Sequence, residues 1–351
     1  MVQLFYILMV LCSSTLAAPV FGEPYREVRP GDEIVLPSHL YYQPDYRVQW
    51  WYVTGHLADE GGREFGYELT FFAVGVRQRA YRSRFGLNTI YISHFAISDV
   101  AGRRFTFHDE SDRGAFGFAG AHEEKLAVWV GANRLEGSLS EMVLHAEGGQ
   151  DLLDLSLVPG KPCVRNGEKG YARKSETSPL VASLYFSCTR LATEGVLRLG
   201  DGEYKVTGTS WFDRELASRD LDASALGWDW FALQLDNGEE VMLYAIRRAD
   251  GSTGAYSSGT MISRSGESRH LKHDDFEIIT QGHYTSKKTR ARYPSKWRVV
   301  VPSEGLDVTV VPQIEDQEFL APHTTWNAYW EGTCTVDGSH RGRAYVEMTG
   351  Y

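Results

Sequence analysis

Between residues 49 and 159 apolar and polar side chains alternate in short runs, each broken by glycine or acidic turns. The first strong run, 49–57, puts Trp50, Tyr52, Thr54 and His56 on one face and Trp51, Val53 and Leu57 on the other, the period of two of a β-strand. Ala58 to Arg63 then reads as a turn, and 64–72 returns as a strand carrying Glu68 beside Thr70 and Phe72. The pair is a hairpin. Further strands are expected at 89–98, which holds His94, and at 104–108, 125–130, 141–147 and 152–159. Residues 161–179 are poor in apolar side chains and read as a long loop or insertion. Alternation resumes at 180–191, 196–199 and 204–215. The stretch 214–226 can hold a helical turn or two, with Leu216, Ala217 and Leu221 on its buried side, before a hairpin of 228–235 and 240–247 around Asp236-Asn237-Gly238. No heptad or long i, i+3, i+4 stripe appears, so the fold is all-β, built as barrels or sandwiches.

A weak internal repeat divides the chain. Trp51-Tyr52-Val53 with its turn and return strand matches Trp230-Phe231-Ala232 with its own, and Gly208-Thr209-Ser210-Trp211-Phe212-Asp213 matches Gly342-Arg343-Ala344-Tyr345-Val346-Glu347. Two domains that begin and end alike are therefore expected, at 46–215 and 216–351, with an extended lead-in at 23–45. Residues 1–22 read as an export signal, because an apolar run from Leu4 to Leu11 precedes the small residues Ser13, Ser14, Ala17 and Ala18. That run is shorter than a membrane span, so a periplasmic or secreted protein with no stable membrane span is expected.

The chain has 351 residues, 42% hydrophobic and 13% aromatic, enough for two ordinary cores. A net charge of -10 disfavours nucleic acid, which needs clustered Lys and Arg. With no Asn-x-Ser/Thr sequon, a bacterial periplasmic product fits better than a glycosylated eukaryotic one. If Cys12 leaves with the signal, Cys163, Cys188 and Cys334 remain. At most one bridge can form among them, with Cys163 and Cys188 the candidate pair; three small buried thiols is the other reading.

No G-x-S-x-G elbow, dinucleotide or phosphate-binding loop, C-x-x-C pair or H-E-x-x-H occurs, so no cofactor or metal is expected. What remains is acid among aromatics. In Ser210-Trp211-Phe212-Asp213-Arg214-Glu215 a strand places Trp211, Asp213 and Glu215 on one face. A desolvated carboxyl stays protonated near neutrality and can serve as a general acid, while aromatic faces stabilise a developing carbocation. Asp213, Glu215, Glu68 and His94 are the candidate catalytic groups, and Trp50, Trp51, Tyr67, Tyr185, Trp211, Trp228 and Trp230 the candidate substrate-lining aromatics. The competing reading pairs Asp213 with Arg190 or Arg214 as a strut. Asp229 reads as structural, since its strand face is otherwise apolar.

The motifs Gln49-Trp50-Trp51-Tyr52, Phe65-Gly66-Tyr67-Glu68-Leu69-Thr70-Phe71-Phe72, Ser93-His94-Phe95-Ala96, Thr189-Arg190-Leu191, Ser210 to Glu215, Gly227-Trp228-Asp229-Trp230-Phe231 and Glu347 to Tyr351 together resemble the carotenoid 1,2-hydratase/AttH-like proteins. The resemblance implies two tandem lipocalin-like antiparallel β-barrels. It also implies acid-catalysed addition of water to a double bond, with the motif's aspartate at Asp213. The hydratases carry His-x-Trp upstream of that aspartate, whereas the corresponding strand here reads Ser183-Leu184-Tyr185-Phe186. The substrate class that the resemblance implies therefore spans hydration, isomerisation and cyclisation of an apolar, unsaturated, isoprenoid- or polyketide-like molecule. Its alternative is a non-catalytic carrier of such a ligand.

Overall fold

The computed structural model describes residues 25–76 and 86–351. The expected export segment lies outside the described residues. The first sheet contains β1 (Val48–Asp59), β2 (Glu64–Gly75), β3 (Thr89–Asp99), β4 (Arg104–Asp112), β5 (Ala119–Ala121), β6 (Leu126–Val130), β7 (Asn133–Gly137) and β8 (Met142–Gly148). It continues through β9 (Asp151–Pro159), β10 (Val164–Arg165), β11 (Tyr171–Arg173), β12 (Ala182–Leu199) and β13 (Gly202–Ala217). Its order is β4-β3-β2-β1-β13-β12-β9-β8-β7-β6-β5, with β10 and β11 side by side on β12. The sheet curls until β6 packs against β2, β3 and β4.

The second sheet holds β14 (Ala225–Leu235), β15 (Glu240–Arg248), β16 (Ser258–Ile262), β17 (Ser268–Leu271), β18 (Glu277–Thr285), β19 (Arg292–Val301) and β20 (Leu306–Pro312). It ends with β21 (Glu318–Leu320), β22 (Ala328–Gly338) and β23 (Gly342–Thr349). The order β17-β16-β15-β14-β23-β22-β20-β19-β18 repeats the device of the first sheet, since the first strand of each pairs with the last: β1 with β13, and β14 with β23. Both are near-barrels of the lipocalin-like kind, each with its own apolar core. One core gathers Trp51, Leu69, Phe71, Phe186 and Phe212, the other Phe231, Trp297, Val310, Trp330 and Val346.

Two local expectations are corrected, and the extended lead-in gains a place in the first core. The stretch 214–226 holds no helix, because β13 runs on to Ala217 with Leu216 and Ala217 both buried as strand residues. The presumed loop 161–179 supplies β10 and β11, tied to β12 by backbone pairing and by the Cys163–Cys188 disulfide. The lead-in is docked: Val28, Ile34 and Leu40 are buried in the first core.

The outward faces of the two sheets pack against each other. A third apolar cluster, with Tyr52, Tyr185, Trp211, Trp230, Met242, Tyr244 and Tyr345, fills this seam. The approach is close at Gly66, where a Cβ would lie 2.8 Å from the Cβ of Thr333.

Candidate functional site

The seam is built by register. On the first sheet Tyr52 sits opposite Asp213, Trp50 opposite Glu215 and Thr54 opposite both Trp211 and Glu68. On the second sheet Trp230 sits opposite both Glu347 and Tyr244, and Glu331 opposite Glu347. Alternation sends all these side chains to the same side of their own sheet, so two half-sites meet face to face. Register also moves the sequence repeat by one residue at its start. Tyr52, not Trp51, is the counterpart of Trp230, since these two stand opposite Asp213 and Glu347. Such a one-residue offset exchanges the faces of a strand.

Asp213 is buried at the centre. It accepts hydrogen bonds from the Tyr185 hydroxyl at 2.5 Å, the Trp211 indole N–H at 2.6 Å and the Ser187 hydroxyl. Trp230 reaches across the seam, its indole N–H donating to the Tyr185 oxygen at 3.1 Å. Burial pushes the Asp213 carboxyl up from 3.8 to about 7 despite the three donors, and the neighbouring Glu215 adds to the rise. Tyr52 and Trp211 each present an edge-to-face contact to Trp230, with ring centroids at 5.3 and 6.2 Å. A protonated carboxyl walled by indole and phenol rings is thus available at neutral pH.

Glu215 faces the same seam, but its carboxylate is held by the Lys174 ammonium at 2.7 and 2.8 Å. That ammonium lies 5.4 Å from the Trp50 ring and 5.8 Å from the Tyr244 ring. Glu347 is pushed up to about 8 by burial, with the Trp228 indole bonded to it and the charges of Asp213 and Glu215 adding to the rise. Beyond it stand Glu331 and Glu68, both fully buried and both held well above the ordinary carboxyl range by burial and by the surrounding acids. Asp213, Glu347, Glu331 and Glu68 form one row across the seam.

The other candidates lie elsewhere. His94 is buried toward the β21–β22 side, bonded to the Tyr329 hydroxyl at 2.6 Å and the Thr324 hydroxyl at 2.9 Å, and stacked on Phe319. Burial lowers it to about 3, so it is neutral and acts on Tyr329 rather than on Asp213. Trp51 and Tyr67 are corrected: both point into the first core, because they occupy the opposite strand face. Trp51 stacks on the Arg214 guanidinium at 3.8 Å, and the Tyr67 hydroxyl meets Ser210 at 2.5 Å. Neither arginine proposed as a strut meets Asp213. Arg214 bonds backbone carbonyls and Gln49, and Arg190 pairs with Glu240. Asp229 is the structural carboxylate expected, bound by Arg247 at 2.8 Å and by Tyr351 at 3.0 Å. Among the described residues no group of three His, Cys, Asp or Glu side chains is placed to hold a metal ion.

Ser187, Lys174, Tyr52 and Glu331 were not singled out from sequence. Ser187 and Tyr52 follow from the alternation of strands already identified, and Glu331 shares its strand face with Tyr329 and Thr333; Lys174 sits in the segment read as a loop and left no signal. An open groove of about 740 Å3 lies at another point of the seam, lined by His56, Phe65, Val158, Thr193, Thr209 and Arg343 among others. It holds none of the central acids, but the His56–Thr209 pair on its wall is four residues along β1 and β13 from Tyr52–Asp213.

Paired lipocalin-like near-barrels with an acid-and-aromatic seam define the class. The sequence model of the AttH-like family matches residues 27–351, and the chain belongs to that family. A structure from Nitrosomonas europaea described as AttH is 31% identical, with a TM-score of 0.85 over 93% of this chain and 99% of its own. Kievitone hydratase from Nectria haematococca shares 15% identity and a TM-score of 0.70 over 93% and 97% of the two chains. CghA shares 12% and 0.53 over 94% and 97%. At those identities the last two show the fold alone. No curated protein matches the sequence. Among the described residues no helix is long and apolar enough to cross a membrane.

Proposed function

We propose that this protein performs acid-catalysed hydration, isomerisation or cyclisation of an apolar, unsaturated small molecule held in the interdomain seam, with Asp213 as the proton donor. The observation that carries the reading is Asp213 itself, raised to about 7 at the meeting point of two barrels and walled by Trp211, Tyr185 and Trp230. The Asp213 carboxyl proton passes to one alkene carbon, and the cation left on the other carbon faces the aromatic rings, an attraction on the order of 2 kcal/mol when desolvated. In hydration, water oxygen bonds to that carbon and a water proton returns to the Asp213 carboxylate. In isomerisation or cyclisation the returning proton comes from a neighbouring C–H. Glu215, fixed by Lys174, keeps negative charge beside Asp213 and favours its protonated form. Water addition is also what the name kievitone hydratase states of one protein of the same fold.

The protein is taken to be exported to the periplasm or secreted. The apolar run at Leu4 to Leu11 supports this, as does the Cys163–Cys188 bridge, since disulfides persist in oxidising compartments. Compounds copurifying with the protein, identified by mass spectrometry, define the first substrates to assay. Turnover is then followed as the gain of one water or as an isomer of unchanged mass. Asp213→Asn is expected to abolish it, and undiminished turnover by that variant refutes the acid role.

The second reading, a carrier, draws on the complete hydrogen bonding of Asp213, which also suits a structural carboxylate. On that reading Asp213→Asn lowers stability and leaves ligand affinity unchanged.

A further inference from the structure

Six buried polar atoms of the seam meet no hydrogen-bond partner among the described residues: both carboxyl oxygens of Glu68, Oε1 of Glu331, and the hydroxyls of Thr54, Thr70 and Tyr345. All five residues are at most 2% exposed. They share one location. Thr54 stands opposite Glu68 in register, Thr70 is two positions along the same strand face, and Tyr345 and Glu331 come from the facing sheet within electrostatic reach of Glu68. The Thr70 hydroxyl approaches Glu68 and the Tyr329 hydroxyl approaches Glu331, neither closing a well-formed bond on the orphaned atoms. The one bond of good geometry is from the Tyr52 hydroxyl to Glu331 Oε2, at 3.0 Å. Buried polar groups are nearly always paired, and leaving them unpaired is costly. Leucine or valine at these positions would fold at less cost, so a concentration of orphans at one point marks a place where something polar is received.

We propose that the Glu68–Glu331 end of the seam is a polar subsite that receives a hydroxyl or carbonyl group of the ligand. The molecule taken is then an uncharged, oxygen-bearing apolar compound rather than a pure hydrocarbon. The chemistry of the five residues sets the class. Burial and mutual repulsion hold Glu68 and Glu331 in the protonated form, in which each offers one O–H donor and a carbonyl acceptor. The threonine and tyrosine hydroxyls donate and accept as well. Such a set complements neutral oxygen on either side of a hydrogen bond. It disfavours carboxylates and phosphates, because among the described residues no lysine or arginine is a partner of these groups. An alkane end is rejected too, because it would leave all six atoms unpaired. The subsite lies on the same strand faces as Asp213, with Tyr52 joining them: it stands opposite Asp213 and donates to Glu331.

This inference rests on the seam being the ligand site, but not on Asp213 being an acid. The test is equilibrium binding of three probes with one skeleton, geraniol, its hydrocarbon 2,6-dimethylocta-2,6-diene and geranylamine, to the full mature chain, read by tryptophan fluorescence. Geraniol is expected to bind about tenfold more tightly than the hydrocarbon, which is about 1.4 kcal/mol. Glu68→Leu is expected to bring the two within about twofold of each other, and Glu68→Gln, which keeps a neutral donor and acceptor, to preserve the preference. Asp213→Asn is expected to preserve it too, so loss of turnover in that variant bears on the acid role alone. Folding of Glu68→Leu is checked by its melting temperature, expected to rise, since an unpaired carboxyl is removed. Equal affinities in the wild type, a preference that survives Glu68→Leu, tightest binding of geranylamine, or no binding of any probe each overturn the proposal.

Discussion

Replacing Asp213 by asparagine tests the central carboxyl without emptying its place. Burial moves this group from 3.8 to about 7, so its ionised form is disfavoured by about 4 kcal/mol at about 1.4 kcal/mol per pH unit. The sign follows from proton binding. Between those two values the folded chain holds a proton that the unfolded chain has released, so this stability is full below pH 3.8 and is lost as pH rises to about 7. Asparagine does not ionise, and its stability has no such slope. Its carbonyl oxygen can still accept from Ser187 and Trp211, and the Tyr185 hydroxyl turns to accept from the amide as it does from the protonated carboxyl; the amide's second N–H has no counterpart in the acid and costs about 1 kcal/mol. Asp213→Asn is therefore expected to be about 1 kcal/mol less stable than wild type near pH 4 and about 3 kcal/mol more stable near pH 8. Urea denaturation of both proteins at intervals across that range measures the difference directly, and contributions from Glu347, Glu331 and Glu68 largely cancel. A difference that stays flat with pH, or an asparagine variant that is the less stable at pH 8, refutes the argument that burial dominates at Asp213.

Lys174→Met removes the ammonium that compensates buried Glu215. Because the lysine side chain is 19% exposed, a loss of about 2 kcal/mol at pH 7 is expected, and an unchanged urea midpoint contradicts it. Gly66→Val places atoms against Thr333, whose Cβ would stand 2.8 Å from a new Cβ, and is expected to cost about 2 kcal/mol and to increase proteolysis at the seam; an unchanged melting temperature contradicts the close approach of the sheets. Reducing Cys163–Cys188 frees a loop of sequence separation 25 and is expected to cost about 3 kcal/mol, seen as a fall in urea midpoint on adding dithiothreitol.

The architecture was legible because strand alternation is a local signal. The runs around Trp50, Glu68 and Asp213 each announce a strand, and the aromatic-x-acid repeat points to two barrels that close on their last strands. Faces are harder to assign than strands. Trp51 and Tyr67 read as binding aromatics by residue type, yet they alternate with Tyr52 and Glu68 and so belong to the interior. Both sides of β1 and β2 are buried, one by the barrel core and one by the partner sheet, so hydrophobicity alone does not say which side is the seam. The helix expected at 214–226 failed for the same reason: Leu216 and Ala217 satisfy a helical stripe as well as a strand, and pairing of β13 with β1 decides between them. Lys174 and the strands β10 and β11 were out of reach because their place is set by pairing with β12, a tertiary fact with no periodic trace in residues 161–179.

The distribution of donors along the acid row decides where its charge resides. Asp213 gathers three donors, Glu331 has one bond of good geometry and Glu68 none. Hydrogen bonds to a carboxylate favour ionisation, so among four desolvated acids the one at the aromatic end gives up its proton first. Glu347 stands next, held at about 8, and the two acids beyond it stay protonated through neutral pH. On the proposed acid role, the negative charge left on Asp213 after proton transfer is the one the row tolerates best, because three donors converge on it. On that reading the same ordering keeps the far end neutral. A seam with acids at both ends is thus polarised by where its donors fall, which suits the proton transfer proposed at Asp213 and the uncharged recognition proposed at Glu68.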